Sequence, residues 1–310
     1  MPAPRGGEGQ AGAVALNFWQ RLSPQVQGMW LFLGTLMVFA FYDAFAKTML
    51  TQHSPVVMNL ARYLTINAVA AGLLWRYCRA TPGAAQVVAD ALRQPLLWWR
   101  SLCLGVVGTS FMTALVTMPL AEATAIYFTA PLLMVWLARH WLGERVSTVQ
   151  WVVVGLGFAG MLLVVRPGGS LPLQGTLLMV LAAACYAVFQ LLTRKLAGQV
   201  PGPIQFAHMA WICLLVTAFP GWLEWPLTWP TAAQWPTLVV GSLASGLGQL
   251  LMLAAYQRAS AATLGPLNYL QLLMAVAISA FWLGAAPDAW ALAGIGLIAC
   301  AGLYLALRRQ

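Results

Sequence analysis

The amino-acid sequence predicts an all-α polytopic membrane protein, with ten transmembrane helices that form two inverted five-helix repeats. Three observations predict this fold class: a very apolar composition, ten apolar segments of membrane-spanning length, and similarity between the two halves of the chain. Of the 310 residues, 61% are hydrophobic and 7% are charged. Because soluble domains carry about 25% charged residues, this composition excludes a soluble globular protein and predicts that the chain lies in a lipid bilayer.

Ten segments are apolar over about the 20 residues that a helix needs to cross the hydrocarbon core. Glycine, proline and charged residues separate these segments. The predicted spans are Gln27–Leu50, Val56–Tyr77, Leu96–Met118, Ala121–Trp141, Val149–Val165, Leu173–Lys195, Gly202–Leu223, Gln234–Gln257, Ser260–Gly284 and Ala289–Leu307. Residues 1–26, which are rich in Gly, Ala and Pro, are predicted to form a flexible cytoplasmic tail.

The positions of the basic residues predict how the spans are oriented. With a cytoplasmic N-terminus, thirteen of the sixteen Lys and Arg residues fall on the cytoplasmic side, whereas Arg166 falls in an outer loop and Lys47 and Arg62 lie within spans. This distribution follows the positive-inside rule and places both termini in the cytoplasm. It also accounts for the net charge of +9, so we expect no binding to nucleic acid.

The two halves of the chain share a sequence pattern at a constant offset. PLLMVWLARHWLGER (131–145) and LLMAVAISAFWLGAA (272–286) match at five positions when they are shifted by 141 residues, and the same shift aligns Gly155-Leu156 with Gly296-Leu297. Tyr42-x-x-Phe45 has a counterpart in Tyr186-x-x-Phe189, about one helical turn out of register. These matches predict a duplication, with residues 27–166 as the first repeat and residues 173–307 as the second.

An odd number of spans in each repeat means that the two copies face opposite sides of the membrane. Inverted repeats are typical of secondary transporters, in which the binding site lies near the middle of the bilayer, between the repeats. The predicted topology therefore indicates a transporter that works by alternating access.

Several segments resemble the EamA-type transporters of the drug/metabolite transporter (DMT) superfamily. They are MPLAEATAIYFTAPL (118–132), LGERV (142–146), GFAGMLLVVRPG (157–168), YDAFAK (42–47), ARY (61–63), CYAVFQLLTRKL (185–196) and NYLQLL (268–273). The resemblance implies two inverted EamA repeats, a bacterial inner membrane and secondary transport of a small molecule. Because many members are assigned to export, we expect an exporter of amino acids or related metabolites. Uptake of a cofactor-like molecule such as riboflavin or S-adenosylmethionine is the alternative.

Proline interrupts the fourth span of each half and indicates where the site lies. Pro131 falls in span four, and Gly265 and Pro266 fall in span nine. A proline removes one backbone donor from a helix, and paired interruptions in corresponding helices mark transporter sites. Polar side chains at membrane depth near these breaks and in facing spans are the candidate substrate-binding residues. They are Tyr42, Asp43, Lys47, Arg62, Tyr127, Thr129, Gln190, Gln249, Asn268, Tyr269 and Gln271.

The charged candidates allow two interpretations. Asp43 and Lys47 are four residues apart and therefore share one helix face, where each partly offsets the other's charge. With Arg62 they predict either an outward vestibule that orients a charged substrate or a structural ion network that includes Glu122. Asp43 is also a candidate proton carrier, which would make protons the coupling ion. His208 is expected to be a hydrogen-bonded helix histidine.

The sequence offers no pattern of an intramembrane enzyme or of an ATP-driven pump. It contains no H-E-x-x-H, no G-x-S-x-G and no Walker A motif. The five cysteines are scattered singly, without the spacing of a metal site. We therefore expect no catalytic residue, no metal and no cofactor, and the sequence predicts no particular oligomeric state.

Overall fold

A computed structural model of the chain describes residues 22–142, 147–166, 171–196, 198–223, 227–259, 264 and 267–308. Within these ranges every regular secondary-structure element is a helix. The helices are α1 (Pro24–Met49), α2 (Pro55–Ala80), α3 (Ala84–Leu92), α4 (Pro95–Thr117), α5 (Leu120–Tyr127), α6 (Ala130–Leu142), α7 (Thr148–Val165), α8 (Leu173–Leu196), α9 (Gly202–Leu223), α10 (Trp235–Arg258), α11 (Asn268–Phe281) and α12 (Ala289–Arg308).

Six of these helices, α1, α2, α4, α8, α9 and α10, are long and apolar enough to cross a membrane. Shorter apolar helices cover Leu120–Met134, Trp151–Val165, Asn268–Phe281 and Ala289–Tyr304. Each predicted span falls on one of these segments, and the span predicted at Gly202–Leu223 coincides with α9 at both ends. The chain is therefore a multi-pass membrane protein.

Serine N-caps fix the N-terminal ends of α1 and α2. The Ser23 and Ser54 hydroxyls accept hydrogen bonds from backbone N–H groups of the first turns of α1 and α2, and each helix then begins with proline. Serine is a preferred N-cap, and proline is favoured at the first helical position because the N–H that it lacks would have no partner there. Helix α1 thus begins inside the segment 1–26 that was predicted as a tail, whose first 21 residues lie outside the described ranges.

The predicted interruption of span four lies two residues before the proline. Helix α5 ends at Tyr127 and α6 begins at Ala130, so that Pro131 is the second residue of α6. At the break, the Thr129 hydroxyl donates to the Ile126 carbonyl over 2.7 Å, which satisfies one free carbonyl of the ending helix. Residues 265 and 266, where the matching break in span nine was predicted, lie outside the described ranges.

Helix α3 was not predicted from the sequence. It contains nine residues between α2 and α4, follows Gly83 in the left-handed conformation (φ 74°), and buries Ala84 and Ala91. Its hydrophobic residues Val87 and Leu92 are exposed. This short helix is too brief to cross the bilayer and was therefore missed by a search for membrane-spanning segments.

Helices from the two halves of the chain pack extensively on one another. The most extensive pairs are α4 with α8, α1 with α10, α7 with α12 and α2 with α9. Helices α7 and α12 approach closely at two glycines, because a Cβ at Gly160 would lie 2.7 Å from the Gly294 carbonyl oxygen. The helices of both halves enclose a central space, in which the candidate site lies.

Candidate functional site

A cavity of about 90 Å³ lies in the centre of the bundle. Its walls come from α1, α2, α4 and α5 of the first half and from α8, α9, α10 and α11 of the second half. Six of the predicted site residues line it. They are Tyr42, Asp43, Arg62, Tyr127, Gln249 and Gln271.

Two opposite charges face this cavity without forming an ion pair. The Gln271 amide donates to an Asp43 carboxylate oxygen over 3.3 Å. Asp43 is close enough to Arg62 for electrostatic attraction, but no ion pair joins the two among the described residues. The cavity therefore offers a carboxylate and a guanidinium to a ligand that carries complementary groups.

Two tyrosine rings hold the Arg62 guanidinium. Its Cζ atom lies 4.7 Å from the centroid of the Tyr42 ring and 5.3 Å from that of Tyr63. Such cation–π contacts stabilise a desolvated cation by about 2 kcal/mol. The Arg62 Nε atom is buried and has no hydrogen-bond partner in the described part of the chain. Arg62 is thus positioned by aromatic faces and keeps donor capacity.

A group of stacked aromatic residues forms another wall. The Tyr127 ring lies 4.7 Å from Tyr186 and 5.4 Å from Phe111, and Tyr186 stacks on Phe189 at 5.9 Å with an interplanar angle of 19°. Offset or tilted rings at these distances attract one another. The wall presents aromatic faces on which a planar ligand could stack.

Gln249 lines the cavity from α10 without a hydrogen-bond partner in the ranges that the structure covers. A primary amide has two N–H donors and a carbonyl acceptor, and leaving them unused away from water is unfavourable. Gln249 is therefore available to contact a ligand or water in the cavity.

Lys47, by contrast, lies outside the cavity wall. Its Nζ atom donates to the carbonyls of Leu115 and Met118, over 2.5 and 2.9 Å, at the C-terminal end of α4. The predicted offset of charge between Lys47 and Asp43 is not realised as an ion pair, because the lysine reaches the free carbonyls of a neighbouring helix end. Glu122, the other predicted network member, likewise forms no ion pair in the described part of the structure.

The remaining predicted residues do not line the cavity. Thr129 bonds at the α5–α6 break, and Gln190 donates to the Tyr186 hydroxyl over 3.0 Å, behind the aromatic wall. Tyr269 packs its ring 6.0 Å from Phe128, and Asn268 is the first residue of α11. The helix break next to Pro131 is thus near the site. The residues of the other predicted break, 265 and 266, lie outside the described ranges.

Tyr63 and Tyr186 line the cavity and were not among the predicted site residues. Tyr186 carried a signal in the sequence, because it matches Tyr42 in the comparison of the two halves. Tyr63 reaches the wall because α4 has a glycine opposite it: a Cβ at Gly108 would collide with the Tyr63 hydroxyl. That contact joins residues distant in sequence, and no local pattern predicts it.

Comparison with a protein-family model gives a match over both halves of the chain. The EamA-like transporter family matches residues 26–166 and residues 173–308. A solved crystal structure superposes with a TM-score of 0.64 and covers 92% of this chain and 99% of its own, at 21% identity. At this identity the superposition shows a shared fold.

Similar proteins include transporters with different substrates. A riboflavin transporter of Rhizobium johnstonii is 28% identical over 63% of this chain, and the chain spans 65% of that protein's length. An S-adenosylmethionine uptake transporter of Rickettsia bellii is 25% identical, over 90% of this chain and 92% of its own. A protein of Streptantibioticus cattleyicolor described as a "probable terminal-alkyne amino-acid exporter" is 29% identical, over 63% of this chain and 66% of its own.

Proposed function

Because this chain belongs to the EamA-like transporter family, we propose that it is a secondary transporter that moves a small metabolite across the bacterial inner membrane by alternating access. The observation that carries the proposal is the central cavity. Asp43 and Arg62 both line it and, among the described residues, form no ion pair with each other. We propose export of an amino acid or related metabolite as the direction and substrate class.

The helix pairing supports ten transmembrane helices in two inverted five-helix repeats, over residues 27–166 and 173–307. If α5 and α6 together form span four, then α1 with α10 is a contact of span one with span eight, and α4 with α8 is a contact of span three with span six. Exchanging the two halves converts one pair into the other. The pairs α2 with α9 and α7 with α12 are each converted into themselves, as a two-fold relation between repeats requires.

Alternating access follows if the two repeats exchange conformations about the cavity. Four helices of each half line the cavity, so a relative movement of the halves opens it to one side and closes it to the other. The positive-inside distribution of basic residues supports cytoplasmic N- and C-termini, with the residues before α1 as a cytoplasmic tail.

The charges of the cavity favour a zwitterionic substrate. In our proposal, the Arg62 guanidinium binds a carboxylate, while Asp43 and the Gln271 amide orient an amino group. Similarity to the amino-acid exporter supports this class. The alternative is uptake of a cofactor-like molecule, supported by similarity to the riboflavin and S-adenosylmethionine transporters and by the Tyr127–Tyr186 wall, on which a planar ring can stack.

The first experiment compares small molecules inside and outside cells that produce the intact protein or an Asp43→Ala, Arg62→Ala double variant at equal membrane abundance. The control is an Asp90→Ala, Arg93→Ala double variant, which removes one negative and one positive charge from an exposed ion pair at the C-terminal end of α3. We expect the intact protein and the control to enrich an amino-acid-like compound in the medium, and the cavity variant to lose at least 90% of that enrichment.

The pattern of depletion separates the alternatives. A compound that is depleted from the medium and accumulates in the cytoplasm would reverse the direction and support uptake. Equal movement by the cavity variant and the intact protein would contradict the site. The variant Asp43→Asn tests proton coupling. If Asp43 carries the proton, this variant should lose transport driven by a pH gradient but still exchange substrate across the membrane.

A further inference from the structure

A buried arginine outside the cavity has no carboxylate partner among the residues that the structure describes. Arg100, on α4, is only 4% exposed. Its Nε atom donates to the Thr193 hydroxyl over 2.9 Å, and its Cζ atom lies 4.8 Å from the centroid of the Phe189 ring. The Nη1 atom is buried without a hydrogen-bond partner, and Arg100 forms no ion pair, in the described part of the chain.

A buried histidine lies beside this arginine, and one of its two ring nitrogens has no hydrogen-bond partner among the described residues. The His208 Nδ1 atom lies 2.8 Å from the Ser101 hydroxyl oxygen, as expected of a hydrogen-bonded helix histidine. Its Nε2 atom is buried and unpaired among the residues described. Trp98 packs edge-on against the ring at 4.7 Å, and Arg100 is near enough to act on the ring electrostatically. In the described part of the chain, two side-chain nitrogens of this cluster, Arg100 Nη1 and His208 Nε2, therefore have no hydrogen-bond partner.

This cluster continues the cavity walls towards one side of the membrane. Arg100 lies one helical turn before Leu104, a cavity residue of α4, and His208 adjoins Met209, a cavity residue of α9. On α8, Thr193 lies about two turns after the cavity residue Tyr186. With a cytoplasmic N-terminus, all three continuations run towards the cytoplasmic side.

Phe189 lies between the cluster and the cavity. One face of its ring receives Arg100, and the ring stacks on Tyr186 of the cavity wall. The ring is fully buried. Movement of Phe189 would therefore open a path from the cavity to the Arg100 guanidinium.

We propose that Arg100 and His208 form an anion site on the cytoplasmic side of the cavity, which binds the carboxylate or phosphate group of the transported substrate when Phe189 moves aside. Thr193 positions the guanidinium, because its hydroxyl accepts from Arg100 and donates its own proton to the Phe189 carbonyl. The inference rests on the proposed transport function. Arg62 binds the anionic group in the cavity, and Arg100 binds it at the cytoplasmic end of the same path.

The energetics of a buried guanidinium favour an anion over a purely structural role. Removing this cation from water is costly unless a counter-charge and hydrogen bonds replace its hydration, and a charge within the membrane is a functional-site candidate by default. The Thr193 hydroxyl and the Phe189 ring supply one hydrogen bond and one cation–π contact, and both are neutral. Carboxylate and phosphate oxygens are the groups that guanidinium binds most strongly, often with two parallel hydrogen bonds.

Anion binding is tested by the thermal unfolding midpoint of the purified full-length protein in detergent, titrated with inorganic phosphate at constant ionic strength. The variant Arg100→Gln keeps hydrogen-bonding capacity and removes the charge. Arg93→Gln, on a side chain that is 80% exposed, is the charge-matched control. We expect phosphate to raise the midpoint of the intact protein and of the control, and Arg100→Gln to raise the half-saturating phosphate concentration at least tenfold, with partial rescue by Arg100→Lys.

Equal phosphate responses of Arg100→Gln and the intact protein, or no response of either, would overturn the site. An anionic lipid headgroup could supply the same chemistry, so the titration is repeated in vesicles of phosphatidylcholine with and without 20% phosphatidylglycerol. Stabilisation through Arg100 by phosphatidylglycerol but not by phosphate would assign the site to lipid and overturn the substrate assignment.

A transport experiment tests whether the site binds the substrate. In proteoliposomes loaded with S-adenosylmethionine or with its decarboxylated analogue, we expect Arg100→Gln to slow only movement of the carboxylate-bearing compound, by at least tenfold. Equal slowing of both compounds would overturn the inference. The phosphate titration requires no transport, so it tests the anion site even if neither compound moves. A protein that binds phosphate through Arg100 but moves neither compound would exclude S-adenosylmethionine as its substrate and leave the anion site in place.

Discussion

Two cations lie at opposite ends of α4, and their surroundings differ. Lys47 reaches the C-terminal end of the helix and donates to two of its carbonyls. Arg100 is the sixth residue of the helix. It donates to one hydroxyl and packs on one ring, and one of its nitrogens is buried without a partner among the described residues. One cation is satisfied by the protein itself, whereas the other is satisfied only in part.

The difference has a physical origin in the ends of a helix. The last four carbonyls of a helix have no partner within it, and the aligned peptide dipoles make that end negative. A lysine there finds acceptors and a favourable field without any carboxylate. The unpaired backbone groups at the start of a helix are N–H donors, which give a cation no acceptor. We infer that Lys47 is structural and that Arg100 has a ligand.

The variant Lys47→Met should produce the largest loss of stability. Methionine keeps an unbranched apolar side chain of similar length but cannot donate to the Leu115 and Met118 carbonyls. We expect the free energy of unfolding to fall by about 1 kcal/mol, the size of a favourable charge at a helix C-terminus, visible as a lower thermal midpoint in detergent. The substrate concentration for half-maximal transport should stay within twofold of that of the intact protein. A tenfold increase in that substrate concentration would indicate that Lys47 contributes to substrate binding.

The variant Arg100→Met should have a smaller effect on stability, and the effect could have the opposite sign. Replacing a buried, incompletely paired charge by an apolar side chain is often neutral or stabilising, although the contact with Phe189 is lost. We expect a thermal midpoint equal to that of the intact protein or slightly above it, together with loss of the response to phosphate. If the midpoint falls as far as in Lys47→Met, the distinction between the two ends of α4 is wrong.

These two residues also show what the sequence predicts and what it does not. The apolar segments, the break near Pro131 and the cavity residues Asp43 and Arg62 follow from composition and local rules. The spacing of Asp43 and Lys47 correctly places both on α1, but the partner of Lys47 belongs to α4, 68 residues away. The role of Tyr63 depends likewise on a glycine of another helix. Such contacts depend on tertiary packing, which helical periodicity does not encode.

An exposed ion pair at the start of α12 provides a third case. An Asp288 carboxylate oxygen accepts from the Ala291 backbone N–H over 2.8 Å and caps α12, and the Arg166 guanidinium forms an ion pair with the same carboxylate. The backbone hydrogen bond, followed by the arginine, lowers the pKa of Asp288 below its ordinary value of 3.8. A lowered pKa in the folded state stabilises the protein above pH 3.8 and ceases to do so as the pH falls through the lowered value.

The variant Asp288→Asn should therefore lower the stability far less than Lys47→Met does. Asparagine remains a good N-cap, so the substitution removes mainly the charge, and exposed ion pairs contribute little because water and salt screen them. We expect a slightly lower thermal midpoint at pH 7, a difference that narrows with added salt and disappears as the pH falls below the lowered pKa of Asp288. A difference that persisted under acid conditions would show that the asparagine amide disturbs the cap itself. A loss at pH 7 as large as that of Lys47→Met would mean that exposure does not weaken this ion pair, and that the stability of the fold depends on it as much as on Lys47.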